Sequence, residues 1–335
     1  MAESPTSGSQ VDYEGHSPRP RRHRFRSLIL GVLLLAGLVV AVTHLGDIER
    51  FGQLLQHAQP IWLLAALLLQ ITTYVCAAAV WQQALRRAGV RYQLLSLLPL
   101  AFGKLFSDQA LPSGGLSGTG FLVGALSRRG VPSEPCMAAF LVSLVSYYAA
   151  YLAVALMSLA LLWFHHAIHA WIIAAVAVFS LVAMAVPAVA LWVQRRGTKP
   201  LPRLFLRVPL VGKLAQAYGK APVHLLREPS LVARAILLQM AIFLLDAATL
   251  WAMLRSVGQE YSLLVAFPSF VVASVVATIG PIPLGLGAFE ASCVAMLGGS
   301  GVPVEAALTA TLLLRGFTLW LPMLPGMWVA RRELR

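Results

Sequence analysis

The sequence predicts an all-α, polytopic integral membrane protein made of two inverted-topology repeats, each with a broken or re-entrant helical hairpin. Three observations carry that expectation. Of the 335 residues, 59% are hydrophobic and 12% charged, at a mean hydropathy of +0.76, more apolar surface than a soluble chain of this length can hide. The apolar tracts are continuous, whereas barrel strands alternate in short segments. Two of the tracts are also interrupted by Pro/Gly breaks, "LPSGGLSGTG" at 111–120 and "GPIPLGLGAFE" at 280–290.

The elements follow in order. Residues 1–26 are polar, contain Pro and Ser, and end in "RPRRHRFR"; they read as a disordered, basic cytoplasmic tail. The stretch "SLILGVLLLAGLVVAVTHL" (27–45) has the length of a span and no small-x-small cleavage site before "GDIER", so it reads as an uncleaved first helix. Further spans are expected at 61–84, 136–163, 171–193, 231–254 and 304–330. Between them lie two units, 93–127 and 262–300. Each has a long arm, a break, and a second arm (116–126 and 284–298) too short to cross a bilayer alone.

Charge orients these elements. With the N-terminus inside, all but four of the 26 Lys and Arg fall on the cytoplasmic side, the exceptions being Arg50, Lys104, Arg255 and Arg315. That partition obeys the positive-inside rule, and it holds only if each hairpin returns to the side it entered. The first repeat (27–163) then starts inside and the second (171–330, with a basic linker at 194–230) starts outside, with the same order of elements. Both termini are expected in the cytoplasm, and the membrane is expected to be the cell inner membrane. Inverted repeats with broken helices are a transporter architecture, with sites near the midplane at the breaks.

Several classes drop out. The net charge of +13 follows the cytoplasmic loops, and the linker lacks base-stacking aromatics, so nucleic acid is not the expected partner. Anionic lipid headgroups are. The three cysteines, Cys76, Cys136 and Cys293, lie in or beside apolar tracts with no CxxC, and His165, His166 and His169 lie between interfacial tryptophans. No nucleotide, zinc-protease or kinase motif is present. The expectation is no cofactor and no metal.

The candidate site is drawn from residues that a lipid-facing helix should avoid. Unwound backbone at membrane depth needs protein or a water-filled cavity around it. The arm after the second break begins at a helix N-terminus, whose N–H groups and positive dipole end suit an anionic group. Pro283, Gly285 and Gly287 shape that break, and Glu290 stands at the same end, either as a cap or as a ligand for a cation or proton. Arg315, deep in the last span, needs an acid or a lipid phosphate; Glu290 is the nearer candidate and Asp246 the second. Lys104 and Asp108, four apart on one helix, can neutralise each other. Gly114 and Gly115 form the first break.

Those motifs carry a resemblance. "LPSGGLSGTGFLVGALSRRGV" (111–131) and "PIPLGLGAFEASCVAMLGGSGVPVEAALTATLLLRGFTLWLPMLPG" (281–326) resemble the two signatures of the flippase-like family, also called the lysylphosphatidylglycerol synthase transmembrane region. The likeness runs from about 27 to 330. It implies a lipid-handling inner-membrane protein, with phospholipids, polyprenyl-linked sugars or hopanoid-type lipids as substrate classes. The soluble aminoacyltransferase domain of the bifunctional relatives is not in this sequence, so lysyl transfer itself is not expected.

Together these readings point to a non-enzymatic, lipid flippase-like transporter of an anionic or phosphate-bearing lipid. Its partners would be membrane lipids and lipid-biosynthesis enzymes. The alternatives are an intramembrane lipid-modifying transferase and a non-catalytic scaffold of a lipid-synthesis complex.

Overall fold

The computed structural model describes residues 58–110, 116–165, 169–196, 225–226, 228–280 and 285–334. The expected tail at 1–26, the first helix at 27–45 and most of the 194–230 linker lie outside them. Helices are the only regular elements among the described residues: α1 (Pro60–Arg87), α2 (Leu94–Ala110), α3 (Leu116–Arg128), α4 (Ser133–Phe164), α5 (Ala170–Arg196), α6 (Pro229–Ser256), α7 (Leu263–Ile279), α8 (Ala288–Gly299) and α9 (Val304–Arg315). A π-helical turn at Gly316–Trp320 then leads into α10 (Leu321–Leu334). Five helical segments are long and apolar enough to cross a membrane: Pro60–Arg87, Glu134–Phe164, Ala170–Val189, Pro229–Ser256 and Val304–Glu333. They match the five spans expected after residue 60.

Local sequence explains where the helices begin and end. α1 and α6 each open with a proline in the first turn, where its missing N–H costs nothing. Each closes at a glycine with left-handed backbone, Gly89 at φ 85° and Gly258 at φ 78°. Beyond it Val90 N–H donates to Leu85 O at 2.9 Å and Gln259 N–H to Leu254 O at 3.0 Å, closing orphan carbonyls as in a Schellman turn. Arg86, Arg87 and Arg255 lie in the last turns, where a cation offsets the negative dipole end.

The two short-armed units are antiparallel helical hairpins. In the first, Tyr92 Oη donates to Arg129 O at 3.4 Å and Arg129 Nη1 to Ser96 O at 2.8 Å, and Gly103 lies directly under the Phe121 ring. In the second, Tyr261 Oη donates to Gly301 O at 2.5 Å, Phe270 meets Phe289 edge-on at 5.9 Å, and Gly285 rests on Ala277. In both hairpins the chain leaves beside the point where it entered.

Equivalent residues in the two halves make equivalent contacts. Gln70 and Gln239, Gly89 and Gly258, Tyr92 and Tyr261, and Pro99 and Pro268 all stand at one constant separation. Gln82 Nε2 donates to Tyr92 O at 3.0 Å, and Trp251 Nε1 at the corresponding position donates to Tyr261 O at 2.9 Å. After the breaks the register shifts by two residues. The sequences Gly130-Val131-Pro132 and Gly301-Val302-Pro303 then make the same turn, with Val131 N–H to Leu126 O and Val302 N–H to Leu297 O both at 3.1 Å. The helices after these turns have Pro132 and Pro303 as N-caps and Glu134 and Glu305 in their first turns.

α1 and α6 themselves pack antiparallel. Gln59 N–H reaches Ser256 O at 2.9 Å at one end, and Arg87 pairs with Glu228 at 2.5 Å at the other. These two contacts are mates, each repeating the other with the halves exchanged. Around this pair the core fills with Tyr151, Phe179, Phe243, Val271 and Leu314. Leu64, Leu68, Leu181, Leu237, Leu324 and Trp328 point outward, an apolar surface suited to lipid.

Candidate functional site

Two glycines shape the second break. Gly285 has φ 61° and Gly287 φ 82°, a region that side chains with a Cβ disfavour. The sequence places the short arm from 284, but α8 starts at Ala288, because two left-handed residues cannot belong to a right-handed helix. The glycines differ in what surrounds them. A Cβ on Gly285 would fall 2.5 Å from Ala277 Cβ, whereas one on Gly287 would meet nothing within 4 Å. Gly285 therefore lets the turn lie on α7, and Gly287 turns the chain with space around it.

Glu290 is the third residue of α8, and its carboxylate has two partners. Oε2 accepts the backbone N–H of Gly287 at 2.7 Å, and Oε1 accepts Arg315 Nε at 2.7 Å. The Arg315 guanidinium also lies 5.1 Å from the centre of the Phe289 ring. The carboxylate sits at the start of α8, a helix end of favourable sign, while the guanidinium stands where α9 runs on into the π-turn. The side chains are 13% and 16% exposed, so the pair is enclosed without being sealed.

Depth can be counted from the shared end of the two helices. At 1.5 Å per residue, Glu290 lies about 14 Å along α8 from Gly299, and Arg315 about 16 Å along α9 from Val304. Each distance is about half of the ~30 Å thickness of a bilayer's apolar layer. The π-turn begins at the residue after Arg315, and such turns often occur at functional sites because they re-aim side chains along a helix. Nothing in the sequence reading anticipates it.

Asp246 does not take the role of second partner to Arg315. It accepts Gln70 Nε2 at 2.9 Å, and the same nitrogen lies 3.0 Å from Thr249 Oγ1. Gln70 is buried on α1. It stands in the middle of the apolar tract at 61–84, a legible polar exception that the sequence reading passed over. The helix N-terminus expected to face an external anion has its own: the Glu290 carboxylate occupies the Gly287 N–H. An incoming anion has to compete with it.

Of the other candidates, Lys104 is half-buried on α2. The side chain of Asp108 and residues Gly114, Gly115 and Pro283 lie outside the described residues. Among the described residues, no group of three or more His, Cys, Asp or Glu side chains is arranged to hold a metal ion.

The five apolar helices long enough to cross a membrane agree with the comparison to protein families. A family model described as the lysylphosphatidylglycerol synthase TM region matches residues 28–326. No curated relative matches the chain significantly.

Proposed function

Because the chain belongs to the lysylphosphatidylglycerol synthase TM region family, we propose that it is a lipid flippase-like transporter of the cell inner membrane, moving an anionic or phosphate-bearing lipid. Membership and the five apolar spans support a multi-pass membrane protein related to lipid handling. The finer reading rests on the Glu290–Arg315 pair, an acid and a base joined at mid-depth beside a glycine break.

In this reading the pair is a lock that a headgroup opens. Arginine binds phosphate bidentately and in a fixed plane. A phosphate arriving at Arg315 displaces the Glu290 carboxylate, and the Gly287 N–H and the N-terminal dipole of α8 pass from carboxylate to phosphate. The exchange replaces one anion by another at the same depth, so the guanidinium is not stranded in the apolar layer. Both carboxylate oxygens of Glu290 are committed to N–H donors, which suits positioning better than proton transfer to a substrate. That disfavours the lipid-modifying transferase.

We read the two halves as inverted-topology repeats. The antiparallel packing of α1 on α6 and the mated contacts at their ends support a two-fold axis in the membrane plane. Arg87, Arg128 and Arg129 then lie at the cytoplasmic end, where Arg129 pairs with Glu333 near the C-terminus, while Arg255 and Glu260 lie outside. The hairpins enter and leave on one side, as re-entrant segments do. The repeat register gives Leu144 opposite Arg315 and Thr119 opposite Glu290. The charged pair is thus an asymmetry laid on a symmetric scaffold.

Mass spectrometry of lipid retained by the purified protein tests this. Wild-type protein should hold phosphate-bearing lipid enriched over the membrane it came from, and Arg315→Met should lose the enrichment. Retained lipid that mirrors the bulk membrane in both would count against a headgroup site.

A further inference from the structure

From the contacts of Asp246 we infer that it is a proton-binding site whose occupancy is linked to that of the anionic-lipid site formed by Glu290 and Arg315. The inference rests on the transporter reading above.

Among the described residues, the carboxylates of Glu228, Glu260, Glu290 and Glu333 each pair with an arginine. Asp246 instead meets the neutral amide of Gln70. Among the described residues, the elements packed against α6 place no cation beside it: Arg86 and Arg87 lie in the last turn of α1, and Arg234 lies in the second turn of α6, about 18 Å along the helix at 1.5 Å per residue. α1 contributes Gln70 and the Tyr74 phenol, which faces Asp246. α4 contributes Tyr147, Tyr148 and Tyr151, of which Tyr147 and Tyr151 pack on Phe243. α7 has no titratable side chain in Leu263–Ile279. α9 has Glu305 in its first turn and Arg315 in its last, and Arg315 is engaged by Glu290. On α6 itself, Arg255 lies at the far end beside Glu260.

Position makes this costly for an anion. Asp246 lies about 15 Å along α6 from Ser256, at 1.5 Å per residue. Ser256, Tyr261 and Gly301 mark one end of the bundle, so Asp246 shares the level of Glu290 and Arg315. A carboxylate halfway through an apolar layer, held by one amide, resists ionisation. The residue is half-buried, so protein does not seal it on every side.

The repeat supplies the independent argument. The position equivalent to Asp246 in the first half is Ala77, while Gln70 has a true counterpart in Gln239, and both glutamines are buried. One half packs the same helix crossing with a methyl group. The carboxylate is therefore not something the scaffold requires. When a headgroup anion enters the layer, it and the displaced Glu290 carboxylate share Arg315, and an ionised Asp246 would be a third negative charge at the same depth. Uptake of one proton by its carboxylate, which breaks no other covalent bond, removes that charge. The lipid anion and the proton then occupy the layer together, and by linkage each favours the other.

Asp246→Asn keeps the oxygen that accepts from Gln70, so it should fold. The full-length protein is mixed, in weakly buffered detergent solution containing a pH indicator, with phosphatidylglycerol or with phosphatidylcholine. The pH is set just above that at which the infrared carboxyl band of the free wild type disappears, so that Asp246 starts ionised. Wild type should then take up about one proton per chain with phosphatidylglycerol and none with phosphatidylcholine, and Asp246→Asn should lose the uptake while still binding phosphatidylglycerol. In parallel, infrared difference spectra of wild type across a pH titration should show a protonated-carboxyl band that is absent in Asp246→Asn and retained in Glu290→Gln. Undiminished uptake in Asp246→Asn, or phosphatidylglycerol binding by wild type without uptake, would overturn the linkage. A wild type without that band at any pH would overturn the proton site itself. If phosphatidylglycerol does not bind at all, the transporter reading is what fails, and the infrared result still decides whether Asp246 takes a proton.

Discussion

Removing the charge of Glu290 gives a prediction whose size follows from the geometry. Glu290→Gln keeps an oxygen for the Gly287 N–H but leaves Arg315 without the anion now 2.7 Å from its Nε. Breaking a buried pair on one side costs about 3–5 kcal/mol. These side chains are 13% and 16% exposed, and the Phe289 ring stays 5.1 Å from the guanidinium. Both soften the loss, so about 3 kcal/mol is expected, the low end of that range. Loss of the anion at the α8 N-terminus adds about 0.3–1 kcal/mol. Arg315→Met alone strands a carboxylate that retains the Gly287 N–H, and should cost less. The double variant strands neither member of the pair and should be more stable than Glu290→Gln. A double-mutant cycle on unfolding free energies in detergent should therefore give a coupling of about 2–3 kcal/mol. Additivity within about 0.5 kcal/mol would refute the claim that these two groups hold each other.

Other outcomes follow from specific contacts. Gly285→Ala should destabilise strongly, since its Cβ would fall 2.5 Å from Ala277 Cβ; Gly287→Ala should cost about 1–2 kcal/mol for its left-handed backbone alone, while weakening anionic-lipid binding. Equal stability losses in thermal unfolding of the two variants would contradict the difference in their surroundings. Gly326→Val should loosen the α2–α10 contact, because a Cβ there would lie 2.5 Å from Phe102 O, and its detergent-stable yield should drop sharply; normal yield would show that this approach is not needed. Single cysteines at positions 260 and 300 should label from the same, periplasmic, side of intact cells. Labelling from opposite sides would remove the re-entrant hairpin.

The spans were legible because the bilayer imposes length and hydropathy on them, and those properties are local. Helices over 60–87, 229–256 and 304–333 follow from continuous apolar tracts bounded by Pro60, Pro229 and Pro303. The Glu290–Arg315 pair was also within reach, since an arginine deep in an apolar span has few acids to choose from. The start of α8 was less legible, because it depends on two φ angles that the glycines permit without requiring. The partner of Asp246 was missed because Gln70 lies on a distant helix, and its meaning appears only when α1 and α6 are seen packed antiparallel. The repeat is legible in the sequence as one order of elements starting on opposite sides, without a residue register. The constant register lies in the helices that flank the breaks, in pairs such as Gln70 with Gln239 and Tyr92 with Tyr261. The π-turn after Arg315 has no local signal, since one extra residue in a helical turn is set by tertiary packing.

The central claim is that the Glu290–Arg315 pair at the glycine break receives a lipid headgroup and passes it between leaflets. It is tested most directly by leaflet exchange of a headgroup-labelled anionic phospholipid in proteoliposomes, with wild type and the Glu290→Gln/Arg315→Met double variant reconstituted at equal, verified folded amounts. Fast exchange in wild type and exchange at the protein-free rate in the double variant is the predicted result. Full exchange by the double variant would show the pair to be structural and contradict the account.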